Sequence, residues 1–242
     1  MNAVRSLYAL VVLGATVLAG CGSSPGQPQK SSEMLAPSDV LEFGTLYGEN
    51  CAACHGADGR GGAAIPLANP VYLAIVDETA MRVAVGNGVR GTSMPAFAQH
   101  AGGMLTDKQI DALVGGIRSR WYRPDGLDGA SPPPYAATSI GNPQRGQGVY
   151  LTYCEVCHGR KGESGPDGSA ITNGSFLALI SDQGLRTAII AGRPDVPMHD
   201  WRGYIPSKPM SDQEVTDVVA WLASRRVASP GQPYAASNSS PQ

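Results

Sequence analysis

Phenylalanine occurs three times in 242 residues, and aromatic side chains make up only 6% of the chain. With 31 glycines and 19 prolines in place of bulky side chains, the side chains alone leave a thin core, and domains of that kind are held together by disulfides, a metal or a cofactor. Charge is sparse as well. A formal net charge of −2 excludes the basic field that nucleic-acid binding needs and marks no strongly acidic face. The most apolar stretch, Leu7 to Ala19, falls short of the roughly 18 residues of a comfortable transmembrane helix. No convincing strand pattern is present, so a βαβ context for redox cysteines is missing too.

Histidine and cysteine are rare, at four and five copies, yet they are spent in one way. "CAACHGADG" begins at Cys51 and "CEVCHGRKG" at Cys154, so one C-x-x-C-H arrangement uses Cys51, Cys54 and His55, then Cys154, Cys157 and His158. The fifth cysteine, Cys21, follows Leu18-Ala19-Gly20 at the end of the apolar run, which Arg5 precedes. That layout reads as a secretory signal over 1–20, and its end resembles a bacterial lipobox. The resemblance implies that Cys21 is lipidated and becomes the mature N-terminus; an ordinary cleavage site beside an incidental cysteine is the alternative. Several acyl chains would give a stable anchor, at about 0.8 kcal/mol per buried methylene.

The rest of the chain is a repeat set between linkers. A Ser/Pro/Gly-rich tether spans 21–37, a Pro/Gly-rich linker 123–142, and the tail 229–242 reads as unstructured or partner-wrapping. The segments between them, 38–122 and 143–228, lie over one another with two one-residue adjustments. Tyr47, Cys51, Cys54, His55 and Gly59 match Tyr150, Cys154, Cys157, His158 and Gly162. One residue further out of step, Asn69, Tyr72, Leu73, Arg82, Gly88 and Met94 match Asn173, Phe176, Leu177, Arg186, Gly192 and Met198. After a second insertion, Asp107, Ile110, Leu113 and Ile117 match Asp212, Val215, Val218 and Leu222.

Each copy reads as helical. "TDKQIDALVGGI" and "SDQEVTDVVAWL" open on capping boxes, Thr106 with Gln109 and Ser211 with Glu214, and carry apolar stripes at helical spacing. The segments leading into Cys51 and Cys154 predict helices that turn Phe43, Leu46 and Tyr47, or Val149 and Tyr150, inward. Short helices are expected around 71–86 and 175–191.

One helical turn brings two thiols to one face and aims the next imidazole alongside them, the pattern of covalent c-type haem attachment. Paired disulfides or a thioredoxin-like pair leave the histidines or the repeat unexplained, and zinc ribbons space their pairs far more closely. Each half resembles a class I c-type cytochrome, and the chain resembles dihaem cytochromes made of two such domains in tandem. The resemblance implies an all-α fold of a few short helices around each of two covalently bound haem c groups, with Cys51, Cys54, Cys154 and Cys157 as thioether anchors. It implies His55 and His158 as proximal iron ligands. It also implies a methionine from the loop after the third helix as the second axial ligand: Met94 in "GNGVRGTSMPAF" and Met198 in "AGRPDVPMHDW". These are the only methionines that pair across the repeat. In the second loop the proline precedes the methionine, so His199 and Met210 stay open as alternatives to Met198. Family members often use a proline carbonyl after the motif to hold the histidine, a place taken by Pro66 in the first half and by Ala170 in the second, so the two haems are not expected to be identical.

Iron saturated by His and Met stores and passes electrons. The expectation is therefore an electron carrier anchored through Cys21 on the periplasmic, outward face of a bacterial membrane. It would serve a respiratory or photosynthetic complex between a quinol-oxidising donor and a terminal oxidase or another acceptor. The alternative is a haem enzyme, a small-molecule dehydrogenase or peroxidase, working at the second haem.

Overall fold

The computed structural model describes residues 35–227. The signal segment, Cys21, most of the tether and the tail lie outside the described residues. A single 3-10 turn at Pro37–Asp39 precedes the compact unit that begins at Val40.

That unit holds ten α-helices among the described residues, five in each half. In the first half they are α1 (Phe43–Asn50), α2 (Ala52–His55), α3 (Pro70–Ile75), α4 (Glu78–Asn87) and α5 (Asp107–Trp121). The second half repeats the order with α6 (Pro143–Tyr153), α7 (Glu155–His158), α8 (Gly174–Ala178), α9 (Asp182–Ala191) and α10 (Asp212–Ala223). The fold is all-helical. Among the described residues the only β features are two isolated bridges, Ala98 with Leu105 and Arg193 with Met198. Each expected short helical stretch divides in two, because Asp77 and Ser181 each cap a new helix with a side-chain oxygen and interrupt what would otherwise be one run.

Both capping boxes form. Thr106 and Gln109 exchange side-chain and backbone bonds at the start of α5, and Ser211 and Glu214 do so at α10, each worth about 1 kcal/mol. Behind the boxes the apolar stripes bury: Leu113, Val114, Val215 and Val218 are fully enclosed. The first and last helices of each half pack by a reciprocal exchange of large and small residues. In the first half Phe43 lies over Gly116, where a Cβ would stand 2.0 Å from the ring. In the second half the glycine sits on the other helix: Gly146 lies against the backbone of α10, where a Cβ would stand 2.0 Å from the Asp217 carbonyl oxygen and 2.8 Å from the Trp221 Cβ. Trp221 stacks on Tyr150 at 4.3 Å, while Phe43, Tyr47 and Trp121 form a trio in the first half.

The halves touch. The buried Asn69 donates from Nδ2 to the Ala191 carbonyl at 2.8 Å, bringing the start of α3 against the end of α9. Arg193 donates to the Gly62 carbonyl at 3.3 Å while its guanidinium is held by Asp195. Residues 134–142 form a strap across the second half. Buried Arg186 donates to the carbonyls of Pro134 and Tyr135 and to Thr216, and pairs with Asp212. Gln183 adds a bond to the Tyr135 carbonyl, and Ser139 donates to Gln213.

Candidate functional site

The site begins with the one-turn helices α2 and α7. Cys51 is the N-cap of α2 at φ −120°, ψ −37°, and Cys154 is the N-cap of α7 at φ −122°, ψ −29°. Amide N–H groups of Cys54 and His55 both donate to the Cys51 carbonyl, at 3.2 and 3.0 Å, and those of Cys157 and His158 to the Cys154 carbonyl, at 3.2 and 2.9 Å. Each turn therefore gathers two thiols and one imidazole in the same backbone conformation. All four cysteines are free thiols. Burial, with the neighbouring Cys54 adding, pushes the Cys51 thiol up to about 11, and burial with Cys157 pushes Cys154 up to about 12. Redox-active C-x-x-C pairs show the opposite, a lowered thiol pKa.

The imidazoles are oriented from behind. His55 Nδ1 lies 2.9 Å from the Ile65 carbonyl, and His158 Nδ1 lies 2.8 Å from the Ser169 carbonyl. A carbonyl only accepts, so Nδ1 carries a proton in both rings, and the neutral tautomer that this bond selects keeps its lone pair on Nε2. The expected acceptor, the Pro66 carbonyl, is therefore corrected to the residue before it: the ring of Pro66 confines Ile65 to extended backbone. The second half needs no proline there, because the acceptor is a main-chain carbonyl that Ser169 supplies equally well. His55 is buried and His158 only half-buried. Burial also pushes the His55 pKa down against the opposing bond from Ile65, which keeps the ring in the neutral form that binds metal.

The sequence reading missed a second support. Tyr47 donates its hydroxyl to the Gly56 carbonyl at 2.8 Å and Tyr150 to the Gly159 carbonyl at 2.5 Å, tying the first helix of each half to the residue after the histidine. The pairing of Tyr47 with Tyr150 across the repeat was the available signal.

The methionine loops are pinned alike. Gly88 (φ 68°) ends α4 and Gly192 (φ 65°) ends α9. A Cβ on Gly88 would stand 2.7 Å from the Met94 carbonyl oxygen, and one on Gly192 would stand 2.8 Å from that of Met198. The next amide donates to the same carbonyl, Val89 to Met94 at 3.1 Å and Arg193 to Met198 at 3.0 Å. Met94 and Met198 are thus backbone equivalents despite the displaced proline, and both are half-buried. His199 is exposed beside Met198, in a cleft shared with Pro194, Asp200 and Arg202. Met210 goes elsewhere. Its amide donates to the Trp201 carbonyl at 2.8 Å as that of Leu105 donates to Phe97 at 2.8 Å, and both side chains are 6% exposed. Met210 and Leu105 are core residues at the foot of the last helix. His100 lies on the surface against Asn87.

The residues present fit a haem in each half: two thiols on one turn, an imidazole held through Nδ1 by a main-chain carbonyl, and a thioether on a pinned loop. No helix among the described residues is long and apolar enough to cross a membrane.

A family model described as cytochrome c oxidase, cbb3-type, subunit III matches residues 39–115 and again 141–222. A cbb3-type cytochrome c oxidase subunit CcoP of Azospirillum sp. (strain B510) is 32% identical over 143 residues, covering 52% of this chain and 43% of that protein. The subunit of the same description from Azospirillum brasilense is 28% identical over 146 residues, covering 56% and 44%. The match spans less than half the length of either relative. A chain of the Kuenenia stuttgartiensis reducing HAO-like protein complex is 19% identical, with 80% of this chain and 100% of that one covered at a TM-score of 0.47, a likeness too loose to inform function.

Proposed function

This chain belongs to the family of cytochrome c oxidase, cbb3-type, subunit III, present twice in tandem, and on that premise we propose that it is a dihaem c-type cytochrome relaying electrons to a terminal oxidase as part of a respiratory complex. The observation that carries the reading is the duplicated frame: in both halves a main-chain carbonyl holds the proximal imidazole and a glycine pins the methionine loop.

Haem bound at each C-x-x-C-H turn supplies a one-electron centre. Cys51 and Cys54, or Cys154 and Cys157, would hold it covalently. The Nδ1–H bond to Ile65 or Ser169 fixes the ring that would present Nε2 to the iron, and raises its basicity. Met94 and Met198 would supply the thioether ligands, and a centre so saturated would leave no position for a substrate, so the chain's task would be to hold, orient and shield it. A thioether ligand would favour ferrous iron and raise the potential. Lipidation at Cys21 would confine the protein to the outward face of a bacterial membrane, a reading that rests on the sequence of residues 1–21 alone.

Intact mass of the purified protein should show two added haems, and the reduced protein should be oxidised by membranes containing a cbb3-type oxidase. Fewer than two haems, or carbon monoxide uptake at either reduced haem of the unmodified protein, defeats the reading. Replacing Cys21 with Ser should move the protein from the membrane fraction to the soluble one.

A further inference from the structure

The two methionine loops share a backbone path but are braced differently. In the first loop Thr92 donates its hydroxyl to the Val89 carbonyl at 2.7 Å and accepts from the Met94 amide at 3.1 Å, so the loop is closed by its own residues. The counterpart of Thr92 is Val196, which has no hydroxyl, and the Met198 amide turns instead to the Val196 carbonyl at 2.6 Å. What the second loop has in exchange is Arg193 at the place of Val89 and Asp195 at the place of Gly91. Arg193 and Asp195 form a two-pronged pair at 2.9 and 2.5 Å, with side chains only 23% and 14% exposed.

That pair reaches the first half. The Arg193 guanidinium also donates to the Gly62 carbonyl at 3.3 Å, and Gly62 lies against the back of the first C-x-x-C-H turn, where a Cβ would stand 2.1 Å from the Cys54 carbonyl oxygen. A second link runs beside it. Asn69, 2% exposed, caps α3 by accepting the Val71 and Tyr72 amides on Oδ1 and spends Nδ2 on the Ala191 carbonyl at 2.8 Å, one of the oxygens a helix leaves unpaired at its end. Ala191 precedes Gly192, the glycine that pins the Met198 carbonyl. Both links thus run from residues 62–69, whose Ile65 carbonyl holds His55, to the residues that hold Met198. Neither is needed to shape the loop, since the first loop takes the same path with Val89 and Gly91 in those places. A ligand carried on a short loop is held only as well as the supports behind it.

We propose that Arg193 and Asn69 are positioning residues for the distal ligand of the second haem: they anchor the Met198 loop on the haem-binding loop of the first half, so that ligation at the second haem depends on the first half. The inference rests on the reading of Met198 as an axial ligand. Met94 carries no such dependence, because Thr92 closes its loop locally.

The test uses the full-length, haem-loaded protein and two variants that act from opposite sides of the contact. Arg193→Leu removes the guanidinium, while Asn69→Ser keeps a capping hydroxyl for α3 and loses the donor to Ala191. Each should shift the balance between iron-bound and free Met198 about tenfold or more toward the free form, the effect of losing one such hydrogen bond. In the ferric protein the methionine-to-iron absorption should weaken by up to half. At a carbon monoxide pressure that leaves the parent unliganded, one reduced haem per chain should bind the gas. Combined with Met198→Ala the variants should add no further uptake, and combined with Met94→Ala they should raise it toward two haems. Asn173→Ser, the same change at the counterpart of Asn69, should leave both haems as in the parent. An unchanged second haem in either variant, or uptake that adds to that of Met198→Ala, overturns the proposal. A parent with fewer than two haems, or one that itself binds carbon monoxide, defeats the ligand assignment beneath it; a parent with two saturated haems whose variants behave as it does defeats the positioning role alone.

Discussion

Arg82 and Arg186 occupy one position of the repeat, and replacing each with Leu should have very different consequences. Arg186 has a side chain 4% exposed. It donates to Pro134, Tyr135 and Thr216 and pairs with Asp212, whose own side chain is 25% exposed. Breaking a buried pair from one side costs roughly 3–5 kcal/mol, because the remaining partner is stranded. Here the cost sits near the lower end, about 3 kcal/mol: Asp212 reaches some water and keeps Thr138, and the two carbonyls regain water if the strap lifts. Arg82 bonds to Asp111 and Glu78 with side chains 41%, 57% and 49% exposed. Such pairs gain little over their hydration, so R82L should leave stability unchanged. Guanidinium unfolding of the intact holoprotein, followed by tryptophan fluorescence, should show R186L with its midpoint lowered by about 1 M for a slope near 3 kcal/mol/M, while R82L overlays the parent. Limited proteolysis should open R186L first between residues 131 and 139. Equal effects of the two variants, or a destabilised R186L with no new cleavage in the strap, would refute the assignment of Arg186 as its anchor.

Met210→Ala should cost roughly 2–4 kcal/mol as a cavity in a packed site and leave the haem spectrum alone, whereas Met198→Ala should keep the fold and let one reduced haem take up carbon monoxide. Tyr150→Phe and Tyr47→Phe each remove one bond to a loop carbonyl and should lower stability by about 1 kcal/mol in denaturant titrations. Burial pushes Asp212 and Asp217 up, but hydrogen bonds from Thr138 and Arg186, and from Arg145, Asn142 and Gln213, together outweigh it and leave both carboxyls below their ordinary value. A lowered folded pKa stabilises above the unfolded value of about 3.9 and is lost as pH falls through the folded one. The second half should therefore loosen below about pH 4, and Asp217→Asn should flatten that acid limb in circular dichroism titrations.

The carbonyls behind the histidines show where sequence reasoning stops. The C-x-x-C-H turns, both capping boxes and the apolar stripes were legible because each depends on residues within one helical turn or one helix face. Pro66 pointed to the right corner of the loop but to the wrong carbonyl, since a proline constrains the residue before it. Ser169 carried no signal, because any residue can offer a main-chain oxygen. Met210 stayed open as an alternative to Met198 in the sequence, and only the amide bond it shares with Leu105 places it in the core at the foot of the last helix.

From the amino-acid order alone came an all-helical duplicated domain, the thiols and imidazoles gathered on the two C-x-x-C-H turns, and the two methionines that correspond across the repeat. These are local periodicities and spacings, and they survive in one dimension. The exchange of large residue for glycine between Phe43–Gly116 and Trp221–Gly146, the buried Asn69 between the halves and the strap held by Arg186 became visible only in three dimensions. Each joins residues far apart in the chain whose partnership follows from how helices cross, and packing of that kind leaves no fixed spacing to read.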